Sequence, residues 1–241
     1  AVLGTIVLTW LVSLVWCRWR RVPAFQAGTL SQISFRFNTY IGMAVVLAGF
    51  GPAGVARFGV IISLAIPFIN LLAVGTLVWY SQAEYSRAVK LRLAAKALLA
   101  NPLILACLAG IAWARLGPAL PEFINRALAL ISSITLPLAL LSIGAGLGLA
   151  KLPGRVGPTL ASSLIKLGLM PVLGLGLLGL CGVDALDRAV AMVFFCLPTA
   201  TSAYILAAQM NSDADLAGAA IVVTTLFSFF SLSLALTFFG P

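Results

Sequence analysis

The 241-residue sequence contains no histidine and only six acidic residues, and charged residues of both signs make up 9% of it. Histidine-ligated metal centres, histidine acid–base catalysis and nucleophile–histidine pairs therefore have no raw material. Neither H-E-x-x-H nor a catalytic carboxylate pair occurs. No enzymatic activity, metal or cofactor is expected. The four cysteines, Cys17, Cys107, Cys181 and Cys196, form no C-x-x-C pair, and each sits in or beside an apolar run. They read as small packing residues rather than disulfides or metal ligands.

What the chain has in excess is apolar surface. Hydrophobic residues make up 62% of it, against roughly 45–50% in soluble domains. A soluble fold cannot hide so much, so lipid must take the remainder. The net charge is +9. Because the basic residues lie between apolar stretches, they read as topology signals and not as a nucleic-acid surface.

Eight apolar segments are expected as spans, near 1–17, 33–50, 57–79, 101–116, 124–149, 159–181, 188–209 and 215–239. The first run, Ala1 to Trp16, is short for a span, which needs about 20 residues. It is followed by Cys-Arg-Trp-Arg-Arg where a signal peptide would carry a small-residue cleavage site, so an N-terminal truncation is expected. Pro67, Pro137, Pro171, Pro198, Gly144, Gly146 and Gly148 interrupt several segments. Broken backbone is tolerated at membrane depth only where it faces protein or a water-filled cavity. Gly168, Gly174, Gly176 and Gly179 suit close helix packing in the sixth segment.

Charge gives the orientation. Arg18, Arg20 and Arg21 follow the first segment; Arg87, Lys90, Arg92 and Lys96 lie in the longest loop; Lys151 and Arg155 follow the fifth. The alternate loops hold Arg57, then Arg115 with Glu122 and Arg126, then Asp184, Asp187 and Arg188. The first group is therefore expected to be cytoplasmic, together with the loop of Asp213 and Asp215. The long loop reads as a basic amphipathic connector on an anionic lipid surface, joining two halves of the protein.

No carboxylate lies near mid-membrane, which argues against carboxylate-based ion coupling within this chain. Lys166 lies inside the sixth segment, with Ser162 and Ser163 three and four residues before it. It is expected to snorkel to the cytoplasmic interface. Two polar clusters inside spans are more informative: Ser34-Phe-Arg-Phe-Asn-Thr-Tyr-Ile-Gly42 and Leu197-Pro-Thr-Ala-Thr-Ser-Ala-Tyr204. Pro198 removes a backbone donor and clashes with the carbonyl four residues back, so the helix should break there. A new half-helix would begin beyond it, with Thr199, Thr201 and Ser202 beside its free N–H groups. Such an N-terminus favours anions. The alternative is a proline kink whose hydroxyls bond back to the helix.

The chain resembles the auxin efflux carrier family of bacterial permeases. The resemblance is carried by Arg36-Phe-Asn-Thr-Tyr-Ile-Gly, Phe50-Gly-Pro-Ala-Gly-Val, Pro67-Phe-Ile-Asn70, Asn101-Pro-Leu-Ile-Leu-Ala, Leu136-Pro-Leu-Ala-Leu-Leu-Ser-Ile-Gly-Ala-Gly, Lys166-Leu-Gly-Leu-Met-Pro171, Leu197-Pro-Thr-Ala-Thr-Ser-Ala-Tyr and Thr224-Thr-Leu-Phe-Ser228, in family order. It implies an all-α polytopic membrane protein with an inverted-repeat transporter fold, in which two broken helices cross at the substrate site. Eight of about ten transmembrane helices would be present: three spans of the first repeat over 1–79, a basic cytoplasmic connector over 80–100, and the second five-span repeat over 101–241. Carried over by residue, Asn38 and Thr39 match the substrate-contacting Asn-Thr of the first crossing helix. Pro198 matches the proline that breaks the second, and Thr199, Ala200, Thr201 and Ser202 match the stretch lining the site. Thr-Ala-Thr-Ser stands where plant carriers have larger residues, and the long hydrophilic loop is lacking, which points away from auxin. Similar bacterial permeases are associated with malate and related dicarboxylates. The expected function is secondary transport of small organic anions across the cell (inner or plasma) membrane by alternating access, with a small carboxylate and the lipid bilayer as partners and no nucleic acid. A homodimer is compatible with the sequence. A membrane sensor or assembly subunit that binds a carboxylate without transporting it is the alternative.

Overall fold

A computed structural model describes residues 1–80, 102–146 and 156–240, with isolated helical positions at 92, 95 and 99. The basic connector expected over 80–100 thus lies almost wholly outside the described residues, as do Gly148, Lys151 and Arg155. Among the described residues the structure is helical throughout: α1 Val2–Trp19, α2 Ala24–Phe35, α3 Thr39–Tyr80, α4 Pro102–Leu116, α5 Glu122–Gly146, α6 Val156–Leu164, a π-helical turn Ile165–Leu169, α7 Met170–Cys181, α8 Ala185–Phe195, α9 Ser202–Gln209 and α10 Ala214–Phe239.

Four helical stretches are long and apolar enough to cross a membrane: Val2–Trp19, Ala24–Tyr80, Gly157–Cys181 and Ala214–Phe239. The second runs for 57 residues. Straight, it would measure about 85 Å, far beyond the ~30 Å hydrocarbon core. It is not straight. The helix stops over residues 36–38 and bends again at Gly51, whose φ of 61° and ψ of −158° lie outside helical space. Pro52 follows and cannot supply the N–H that would restore the ladder.

Large apolar side chains point outward along these helices. Leu128, Leu130, Ile131, Leu180, Phe229 and Phe230 are all more than half exposed. With the apolar spans, this outward-facing surface makes the chain a multi-pass membrane protein. Inside, Phe35, Phe37, Phe58, Phe194, Phe195, Met170 and Leu197 form the buried centre. The Phe37 and Phe194 rings lie 4.3 Å apart at a tilt of 58°.

The polar half of α2 explains a shifted boundary. The segment expected from residue 33 begins instead at Ala24. Thr29, Ser31 and Gln32 kept this turn out of an apolar pattern, yet all three are buried. Each has a partner inside the protein. Thr29 pairs with Ser212 at 2.8 Å, Ser31 with Ser13 at 2.8 Å, and Gln32 Nε2 donates to the Ala203 carbonyl at 3.2 Å. Helices that meet in lipid are joined by such bonds.

Lys166 departs from its expected place. It is fully buried, and its Nζ lies 3.0 Å from Met170 Sδ, so it does not snorkel. The π-helical turn around it and Pro171 just beyond explain this. Proline cannot bond to the preceding turn, and the extra residue in the π-turn takes up the mismatch. Of the four glycines expected to serve packing, Gly174 lies against the Phe195 ring; among the described residues nothing comes within 4 Å of where a Cβ would stand at Gly168, Gly176 and Gly179.

Two contact sets sort the loops into two ends. Arg57 Nη1 lies 2.9 Å from Asp187 and 3.8 Å from Asp184, which puts those three residues at one end. At the other, Asp213 N–H donates to the Phe25 carbonyl at 3.1 Å, and Gln26 Nε2 donates to Asp213 at 3.3 Å. Arg20 and Arg21 share a surface hollow there with Gly157 and Pro158. This is the grouping that the alternation of basic loops gives.

Candidate functional site

Two helix breaks face each other. The first is Arg36-Phe37-Asn38, between α2 and α3; the second is residues 196–201, between α8 and α9. Asn38 N–H donates to the Pro198 carbonyl at 2.8 Å. Backbone groups freed by one break thus satisfy those freed by the other, which is how irregular backbone survives away from water. Three further bonds brace the junction. Thr199 Oγ1 donates to the Ile33 carbonyl at 2.9 Å, Thr199 N–H donates to Thr224 Oγ1 at 3.2 Å, and Ser231 Oγ donates to the Cys196 carbonyl at 2.9 Å.

Asn38 begins the second half-helix. Its Oδ1 accepts from the N–H groups of Tyr40 at 3.1 Å and Ile41 at 3.2 Å, the N-cap pattern. The cap uses the amide oxygen and leaves Nδ2, which is buried without a partner. Asn38 therefore presents a donor. The half-helix N-terminus of α3 is thus capped by its own chain, whereas α9, the half-helix beyond Pro198 for which anion attraction was expected, has no side-chain cap at Thr201.

A cavity of about 250 Å³ opens at the junction. Asn38, Thr39, Ala200, Thr201 and Ser202 line it, and so do Arg36 and Asn70. Pro198 and Thr199 do not. Both are buried behind the wall, where Thr199 spends its hydroxyl on the Ile33 carbonyl. Ile66, Ile69 and Ile205 supply the apolar part of the lining.

Arg36 and Asn70 were not singled out as site residues from the sequence. The signal was present: an ionisable or amide side chain within a span is costly and usually functional. Arg36 is 5% exposed and Asn70 6%. Nη2 of Arg36 donates to Ser202 Oγ at 2.8 Å and so links the two breaks through side chains. Among the described residues no group of three His, Cys, Asp or Glu side chains lies close enough to hold a metal ion.

The sequence model of a family described as membrane transport protein matches residues 82–236, more than half of the chain. The match contains the second break and leaves the first outside. No curated protein gives a significant match to the chain. Helices of membrane-crossing length and this match agree: the chain belongs to the membrane transport protein family, the auxin efflux carriers, whose members are membrane transporters and not enzymes.

Proposed function

We propose that the protein is a secondary transporter of small organic anions, malate-like carboxylates among them, in the cell (inner or plasma) membrane. The observation that carries this reading is the 2.8 Å bond from Asn38 N–H to the Pro198 carbonyl, which joins two interrupted helices beside a cavity lined by Arg36, Asn38 and Asn70. In this reading the breaks are the crossover of an inverted-repeat fold, and residues 1–79 and 101–241 belong to its two repeats. A substrate at such a crossover is reached from either side as one body of the protein moves against the other, with no need to rebuild the site. Asn38, Thr39, Ala200, Thr201 and Ser202 contact the substrate, while Pro198 and Thr199 hold the break open behind them.

Asn38→Ala tests the site. It removes the buried amide donor and also the cap of α3, which is worth about 1 kcal/mol. Counterflow of carboxylates in proteoliposomes, normalised to folded protein, should fall about tenfold or more, the range for one hydrogen bond to a charged group. Unchanged counterflow would remove Asn38 from the substrate path. Saturable binding with no counterflow of any carboxylate would replace transport by a sensing role.

A further inference from the structure

A buried guanidinium needs an anion or a full set of acceptors, because desolvation of the charge is otherwise uncompensated. Arg36 has neither. Nη2 donates to Ser202 at 2.8 Å, while Nε and Nη1 are buried without a partner. The ion pairs among the described residues join Arg57 to Asp184 and Asp187, and Arg126 to Glu122; none includes Arg36. Nη2 carries a second hydrogen. One edge of the planar fork, Nε with Nη2 or Nη1 with Nη2, thus still carries two parallel N–H groups without an acceptor, the arrangement that fits a carboxylate.

The remaining lining narrows the ligand. Asn38 Nδ2 is a second unpartnered buried donor at the same cavity. Arg36 is the charged residue of the lining, and it faces no acidic one. Ile66, Ile69 and Ile205 give the opposite character. One positive charge, the amides of Asn38 and Asn70 and an aliphatic wall suit one carboxylate on a short body. A second ionised carboxylate would meet no second cation there, and desolvating it would count against binding.

Resting on the transport reading, we infer that Arg36 is the charge-selecting residue of the site. It takes one carboxylate end-on or side-on, so that the substrate enters as a monoanion: a small monocarboxylate, or a dicarboxylic acid carrying one proton. The occupied cavity is then electrically neutral, which lowers the cost of carrying it through the bilayer. Arg36 belongs to the first break by its backbone, and its side chain lines the cavity. Its backbone is extended, at φ −71° and ψ 150°, and its side chain reaches the second break only through Ser202.

The test uses the full-length protein in proteoliposomes, with isovalerate as the labelled probe and isovaleramide and malate at neutral pH as competitors. Isovalerate should bind saturably, isovaleramide should fail to compete, and malate should compete better as the pH falls and its monoanion accumulates. Arg36→Gln should weaken isovalerate binding by about 30-fold or more, the range for truncating one partner of a buried hydrogen-bonded charge pair. Arg36→Lys keeps the charge without the fork and should recover part of the loss. Competition by isovaleramide equal to that of isovalerate overturns the inference in the unmodified protein, whether or not either variant folds. So does folded Arg36→Gln with unchanged affinity. If Asn38→Ala abolishes carboxylate binding while Arg36→Gln does not, the site stands and the role of Arg36 falls. If no carboxylate binds saturably, both readings fall together.

Discussion

Lys166 has no exposed surface, and its ammonium group has a thioether as partner. Two hydroxyls close to it in sequence, Thr159 Oγ1 and Ser163 Oγ, are also buried without partners. Burying a charge without a counter-ion costs stability, and replacing buried ionic groups by well-packed apolar residues of similar size is neutral or stabilising by about 1–4 kcal/mol. Lys166→Met is therefore expected to raise the melting temperature of the detergent-solubilised protein. A lower melting temperature would mean that the ammonium makes a favourable interaction within the fold. The sequence showed a lysine inside a span but not its direction. Snorkelling is a matter of where the stem points, and the π-helical turn at Ile165–Leu169 sets that angle. Arg36 was hidden for a related reason. Its cluster was legible as polar, but whether the guanidinium faced lipid, a partner or a cavity depends on contacts with Ser202, 166 residues away.

At the scale of elements, prolines and glycines proved unequal. Pro67 and Pro137 lie within continuous helices, Pro171 is absorbed by a π-turn, and Pro198 ends a helix outright. The residue type alone signals the lost N–H, but how far the chain unwinds depends on whether acceptors and donors lie ready nearby. At Pro198 they do. Its carbonyl accepts from Asn38, and the next residue, Thr199, is tied to Ile33 and Thr224. Thr199 carries no surface of the cavity, so its substitution separates support of the break from contact with the substrate. Thr199→Val removes the bond to Ile33 and leaves that carbonyl without its hydroxyl donor. The folded protein should lose about 1–3 kcal/mol, the cost of a buried unsatisfied polar group. The Michaelis constant for carboxylate uptake should stay within about twofold, since a shift that small is below 0.5 kcal/mol. A large rise in that constant with unchanged stability would place Thr199 at the substrate instead. The other break, at Gly51, falls where the sequence had one span ending at 50 and the next beginning at 57; the structure narrows that expected loop to a kink at Gly51-Pro52.

For the molecule as a whole, class was legible and arrangement only in outline. An apolar content of 62% required a bilayer, and the order of basic and acidic loops separated two ends. The partly polar helix α2 was the weak point, since a run of Gln, Ser and Thr looks like a loop until its neighbours are known. Contacts now tie the loops of each end to one another. Arg57 meets Asp184 and Asp187 at one end, while Phe25, Gln26, Ser212 and Asp213 meet at the other. From the excess of arginine around Arg18, Arg20 and Arg21, we propose that the second end is the cytoplasmic one. Both Arg20 and Arg57 are exposed, and the Arg57 pairs lie at the surface, where such pairs contribute about 0–1 kcal/mol. Either arginine can thus be replaced by cysteine without endangering the fold, in a background where the four native cysteines are substituted by alanine. In intact cells a membrane-impermeant maleimide should label Arg57→Cys and spare Arg20→Cys, and permeabilisation should expose Arg20→Cys. Equal labelling of both before permeabilisation would mean that the two ends do not lie on opposite sides of the membrane. The reverse pattern would keep the fold and invert its orientation, placing the end that carries Arg57, Asp184 and Asp187 in the cytoplasm.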